Sequence, residues 1–198
     1  MSIVPDTRDW TFVLERPCSA CGLDTAALST ARFSADARGL GARWAEMLRR
    51  LPADELRRRP RPDRWSRLEY GCHVRDVYRR MDGRIALLLA EDDPTFANWD
   101  QDATAVEDRY GEQDPLAVAD ELEAAAAAIA ARFADIGPLE WERPGRRSNG
   151  SRFTVESLGR YFFHDVIHHL ADVGEAMPAP GEQARTPGPT ARDPQGGR

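Results

Sequence analysis

The sequence predicts an all-α protein, a four-helix bundle with an extended N-terminal arm and a disordered C-terminal tail. Three observations lead there. Long segments of helical periodicity are separated by proline and glycine breaks, several of them open on N-terminal capping patterns, and no convincing set of alternating apolar and polar residues is present to build a sheet. A small mixed domain with a strand arm is the alternative left open.

Residues 1–23 read as the arm, with Trp10, Phe12 and Leu14 alternating before Pro17 and Gly22, as in a short strand. Residues 24–177 form the bundle. Its first helix is expected from Ala26 to Leu51, after which Pro52, Pro60 and Pro62 break the chain by removing backbone donors and restricting the residues before them. Ser66 and Glu69 fit a capping box, so a second helix should start there and run to Ala90. Pro94 stops it. A long acidic loop with Phe96, Trp99, Asp100, Asp102 and Tyr110 follows, of a length that points to a lid or wall. Asp114-Pro115 supplies an N-cap with proline at the first helical position, and the alanine-rich run to Ile136 has high helix propensity. Gly137-Pro138 ends that third helix. A loop from Leu139 to Phe153, holding Trp141, Gly145 and Arg146-Arg147, leads to Thr154 as cap of a fourth helix reaching Val173. Residues 178–198 turn to Pro, Gly, Gln and charge, too little apolar surface to offset ordering entropy.

Composition narrows the function classes. With 27 basic and 33 acidic residues the net charge is −6, which argues against a nucleic-acid partner. Met1 to Trp10 has neither a basic nor an apolar leader region, and nowhere do about 18 apolar residues run together, so a cytoplasmic protein without membrane contact is expected. All 27 basic residues are arginine, as in a GC-rich genome, which warns against assigning each of them an anion. Three cysteines, Cys18, Cys21 and Cys72, are too few for a disulfide scaffold in this length, so reduced thiols are expected.

The four histidines carry the chemistry. His164 and His168 are four apart on the last helix, one turn apart on one face, where two imidazoles can reach one cation. A third ligand from a facing helix, His73, would complete a three-histidine site with open positions for water or substrate. On the helical wheel Val155, Phe162, Val166, Leu170 and Val173 lie on one side of the last helix, far round from His164 and His168. Spacing alone leaves a solvated polar face open for these two, and a packed core imidazole for His73. His169 points about 100° away from His168 and reads as structural. Asp165 and Asp172, three and four residues from His168, could orient a ligand ring or be surface charges.

At these residues the chain resembles the DinB/YfiT-like superfamily, whose members include bacterial thiol-dependent S-transferases and mycothiol-dependent maleylpyruvate isomerases. The resemblance rests on Pro62-Asp63-Arg64-Trp65-Ser66 leading into the helix with His73, on Trp99-Asp100-Gln101-Asp102, and on Phe153-Thr154-Val155-Glu156 opening the helix with His164 and His168. It covers about residues 26–175. It implies a metal held by one histidine of the second helix and a His-x-x-x-His pair of the last, here His73, His164 and His168.

Cys18-Ser19-Ala20-Cys21-Gly22 has the spacing of half a zinc knuckle, but the sequence shows no second cysteine pair to complete one. A labile disulfide or a dithiol beside the active site is the other option, and Cys72 reads as a small buried residue. Arg57-Arg58-Arg59 with Arg61, and Arg146-Arg147, could attract carboxylates or be solvated loop charges. Trp99 and Tyr110 either line a pocket or anchor the loop.

The resemblance implies a metal-dependent enzyme of DinB type, with zinc or nickel as the divalent metal and a low-molecular-weight thiol, mycothiol-like, as co-substrate in S-transfer to an electrophilic small molecule. One alternative is a metal-dependent hydrolase with Asp165 as base. Another is a non-catalytic metal- or ligand-binding stress-response protein. The expected partner is a small-molecule substrate, and a homodimer is compatible with the sequence.

Overall fold

The computed structural model describes residues 8–176. Four long helices form the bundle: α1 (Phe33–Arg50), α3 (Arg67–Ala90), α5 (Pro115–Asp135) and α6 (Val155–Asp172). Two short helices, α2 (Ala53–Arg57) and α4 (Gln101–Glu107), occupy the connections. The all-α expectation holds, and its capping residues act as read. Ser66 and Glu69 form both halves of the capping box of α3, and Asp114 accepts from Leu116 N ahead of Pro115. Thr154 caps α6, with Ser157 returning the second bond.

Apolar residues at helical spacing join the layers. Phe33, Ala37, Leu40, Trp44 and Leu48 of α1 face Val118, Leu122, Ile129 and Phe133 of α5, all buried. Each large side chain removed from water in this way contributes roughly 1.5–3 kcal/mol. Gly41 lets α1 and α5 approach closely, since a Cβ there would stand 2.3 Å from the Ala126 Cβ. Trp44 Nε1 donates to Val166 O at 3.2 Å and Tyr78 O–H to Ala37 O at 2.7 Å, so the buried polar tips of the core aromatics are satisfied across helices.

The structure departs from the sequence reading between the long helices. The lead-in contains a 3-10 helix, Trp10–Leu14, instead of a strand, because Asp9 accepts from Thr11 N and the three-residue turn buries Val13 rather than alternate side chains. The first long helix begins at Phe33, not Ala26, since residues 25–27 and 30–32 form separate 3-10 turns with Leu28 and Ser29 extended between them. The acidic loop is partly ordered into α4, where Asp100 accepts from Ala103 N, and a 3-10 turn at Tyr110–Glu112. A small sheet is also present: β1 (Thr95–Phe96) pairs parallel with β2 (Pro144–Arg147), which pairs antiparallel with β3 (Arg152–Thr154). Strands of two to four residues are too short for alternation to show in sequence. The tail expected to be disordered, residues 178–198, lies outside the described residues. Among the described residues no helix is long and apolar enough to cross a membrane.

Candidate metal centre

Helix α6 is buried on two sides. Val155, Phe162, Val166, Leu170 and Val173 are buried, as the wheel predicts, and Leu158 is buried as well. The far side, which spacing alone allowed to be solvated, is covered by the arm: the Trp10 ring lies 5.4 Å from that of His164 and 4.8 Å from that of His168, and His164 is only 3% exposed. Arg160 Nη1 donates to Thr25 O at 3.1 Å and Thr25 Oγ1 to Val13 O at 2.5 Å, fastening the arm to the helix.

Two groups of ligand-type side chains result, interleaved along the same helix. In the first, His73 of α3 meets Asp165 and His169 of α6. His73 Nε2 stands 3.2 Å, and His169 Nε2 3.3 Å, from the same oxygen, Asp165 Oδ1. Behind the cluster His169 Nδ1 lies 2.8 Å from Asp172 Oδ2, and Arg64 Nη1 donates to Asp172 Oδ1 at 3.1 Å. His73 is fully buried, stacked on Trp99 with ring planes 7° apart and packed on Trp65. Its Nδ1 has no partner among the described residues. In the second group Cys18 and Cys21 of the arm meet His164 and His168, all four donor atoms within 4.8 Å of one another.

The expected triad is therefore divided by the structure. His164 and His168 come together, while His73 is drawn into a group with Asp165 and His169, one residue further along α6. Residues 165 and 169 are also four apart, so they too share a face, and it is this face that α3 packs against. His169, read as structural, is a cluster member, and Asp165, read as a base, touches two imidazoles. The signal for His169 was in the sequence, as a second four-residue spacing offset by one. The cysteine pair gains the partners the sequence did not show, because its second pair is two histidines about 145 residues on.

Electrostatics follow burial and pairing. Burial pushes the Asp165 carboxyl up, but hydrogen bonds with His169 and His73 outweigh it and hold the group well below the usual carboxylate range. Burial likewise favours neutral His169, yet its bonds to Asp165 and Asp172 win and raise it to about 9. His73 goes the other way, lowered by burial against the opposing pull of Asp165. His164 is lowered to about 4 by burial and by His168 beside it, so its ring is neutral.

A divalent cation fits the first group on the chemistry of its donors. Two imidazole nitrogens converge on one carboxylate oxygen, a set of two histidines and one carboxylate that leaves coordination positions open. Asp172 on His169 Nδ1 is the outer partner that aims such a ring. Asp165, His169, His164 and His168 all line one cavity of about 670 Å³, with Arg61, Arg64, Asp63 and Asp102 also on its wall.

The remaining sequence candidates are placed as follows. Trp99 anchors its loop against His73, and Tyr110 is buried, its O–H donating to Asp76 Oδ2. Arg59 pairs with Glu69 and Arg146 with Asp93, while Arg147 lies over Phe153 and Tyr161. Cys72 is buried, and burial pushes its thiol up to about 12, an inert packed group.

The model of the DinB superfamily matches residues 38–173. The chain belongs to the DinB superfamily. A solved structure of YfiT from Bacillus subtilis, described as a probable metal-dependent hydrolase with an unusual four-helix bundle topology, shares the fold at a TM-score of 0.65. The two are 16% identical, over 81% of this chain and 94% of that one. No curated protein matches the chain.

Proposed function

We propose that this DinB superfamily chain is a metal-dependent enzyme acting on a small molecule, with its divalent ion held by His73, Asp165 and His169. The observation that carries the reading is the convergence of His73 Nε2 and His169 Nε2 on Asp165 Oδ1 beside the cavity. An ion bound there would supply Lewis acidity, lowering the pKa of a coordinated nucleophile.

The chain's own residues favour a thiol as that nucleophile. Asp165, the carboxylate best placed to take a proton from water, is engaged by two imidazoles. A coordinated thiol loses its proton on binding and needs no such base. The cavity has room for both a low-molecular-weight thiol and an electrophile, and Arg61 and Arg64 on its wall suit carboxylate groups on either. Trp99 and Trp65 shield His73 from water and hold its ring in place. Asp172 keeps His169 aimed at the centre.

Hydrolysis is the second reading, favoured by Asp63 and Asp102 on the cavity wall, either of which could serve as base in place of Asp165. It also agrees with the activity ascribed to YfiT. Metal content of the purified chain and of His73→Ala and His169→Ala tests the shared premise; the proposal fails if neither variant loses metal. Conjugation of a thiol to a generic electrophile, set beside hydrolysis of activated esters and amides, each with and without metal, then separates the readings.

A further inference from the structure

We propose that Cys18, Cys21, His164 and His168 form a second metal site, a closed zinc centre of two thiolates and two imidazoles that pins the N-terminal arm to α6. It does not depend on the first group being a metal site. The order of ligands, a Cys-x-x-Cys pair followed by a His-x-x-x-His pair, is that of structural zinc sites, although here the halves lie at opposite ends of the domain.

Three observations carry it. The donor atoms lie within 4.8 Å of one another, and Cys18 Sγ is 3.8 Å from His168 Nδ1, close to the roughly 3.5 Å edge that Zn–S and Zn–N bond lengths give a tetrahedron. The cysteines sit on a knuckle-like turn: Gly22 N donates to Cys18 O at 2.7 Å, Cys18 N to Leu23 O at 2.9 Å, and Gly22 takes φ +75°, which a glycine adopts without strain. Finally, His164 Nε2 is buried without a hydrogen-bond partner, a cost that a bound cation nearby would help to offset if that nitrogen is the ligand.

Four protein ligands leave no position for substrate, so the site is structural. Its consequence is geometric. It holds the arm so that Trp10 covers the two histidines and, with Ala20, walls the cavity onto which Asp165 and His169 open. Asp172 Oδ2, 2.8 Å from His169 Nδ1 and 3.7 Å from His168 Nε2, lies between the two groups.

The test uses the full chain, with zinc content and cobalt(II) spectra read on the parent, on Cys18→Ser/Cys21→Ser and on His73→Ala. The parent should show near-ultraviolet thiolate-to-cobalt absorption and intense visible bands of tetrahedral cobalt. The double serine variant should lose this signature and one equivalent of zinc, and His73→Ala should keep the signature and the equivalent bound by the cysteines. Should the double variant misfold, thiol-reagent kinetics on the parent decide: Cys18 and Cys21 should be protected by zinc and react at least about tenfold faster after chelation. Equal reactivity with and without zinc, a Cys18–Cys21 disulfide in protein purified under reducing conditions, or cobalt spectra without the thiolate band would overturn the site. Failure of the first site shows separately, as unchanged metal content in His73→Ala.

Discussion

Asp165 Oδ1 stands 3.2 Å from His73 Nε2 across 92 positions of sequence, the contact that closes the group of His73, Asp165 and His169 between α3 and α6. Asp165→Asn keeps the shape but removes the charge. Since loss of even an outer-sphere partner costs about 10–100-fold in metal affinity, this ligand change should cost at least that much. Competition with a metallochromic chelator measures it, and parent-like affinity would exclude Asp165 as a ligand.

Asp172 lies behind the same group, its Oδ2 2.8 Å from His169 Nδ1. Asp172→Asn leaves every proposed ligand in place, so affinity at the first group should fall by about 10–100-fold while the ion count at saturating metal stays the same. Isothermal titration would show it. A change in stoichiometry instead would make Asp172 a ligand.

Acid should destabilise the chelator-treated chain through His164. Its folded value is about 4, below the ordinary value of 6.5, so between these pH values the unfolded chain takes a proton that the folded chain refuses. Stability is retained above pH 6.5 and declines as pH falls toward 4, by on the order of 2–3 kcal/mol from this residue. Asp165 adds in the same direction at lower pH, because its depressed carboxyl contributes above the unfolded value and loses that contribution on protonation. Urea titrations from about pH 7 to about pH 4 read the slope, and a His164→Gln chain should have a shallower one.

Gly41→Ala should destabilise the bundle even though alanine is the better helix former by about 1 kcal/mol. The new methyl would stand 2.3 Å from the Ala126 Cβ, so α1 and α5 must move apart, and overpacking of this kind costs about 1–3 kcal/mol. Thermal melting gives the sign: a raised Tm would mean that the helices separate without loss.

Local chemistry made much of the fold legible. The Ser66/Glu69 box, the Asp114-Pro115 cap and Thr154 mark helix starts by bonds within four residues, and they recur in the structure. What sequence reading missed depends on contacts across long separations. The strands pair Thr95 with Arg146 and Phe96 with Arg147, which no window of neighbouring residues reveals. The 3-10 turn at Trp10–Leu14 replaced an expected strand because Val13, rather than alternate residues, is the one taken into the core.

By itself the sequence determined a helical bundle, its family resemblance, and a last helix dense in ligand-type side chains, since capping, propensity and spacing act along the chain. It could not decide between two overlapping pairs, His164 with His168 and Asp165 with His169, because both satisfy the same four-residue period. Only the packed molecule chose, setting α3 with His73 against one face of α6 and the cysteine-bearing arm against the next. Faces one residue apart on a helix differ by about 100°, so the direction of approach of each neighbour decides which side chains meet.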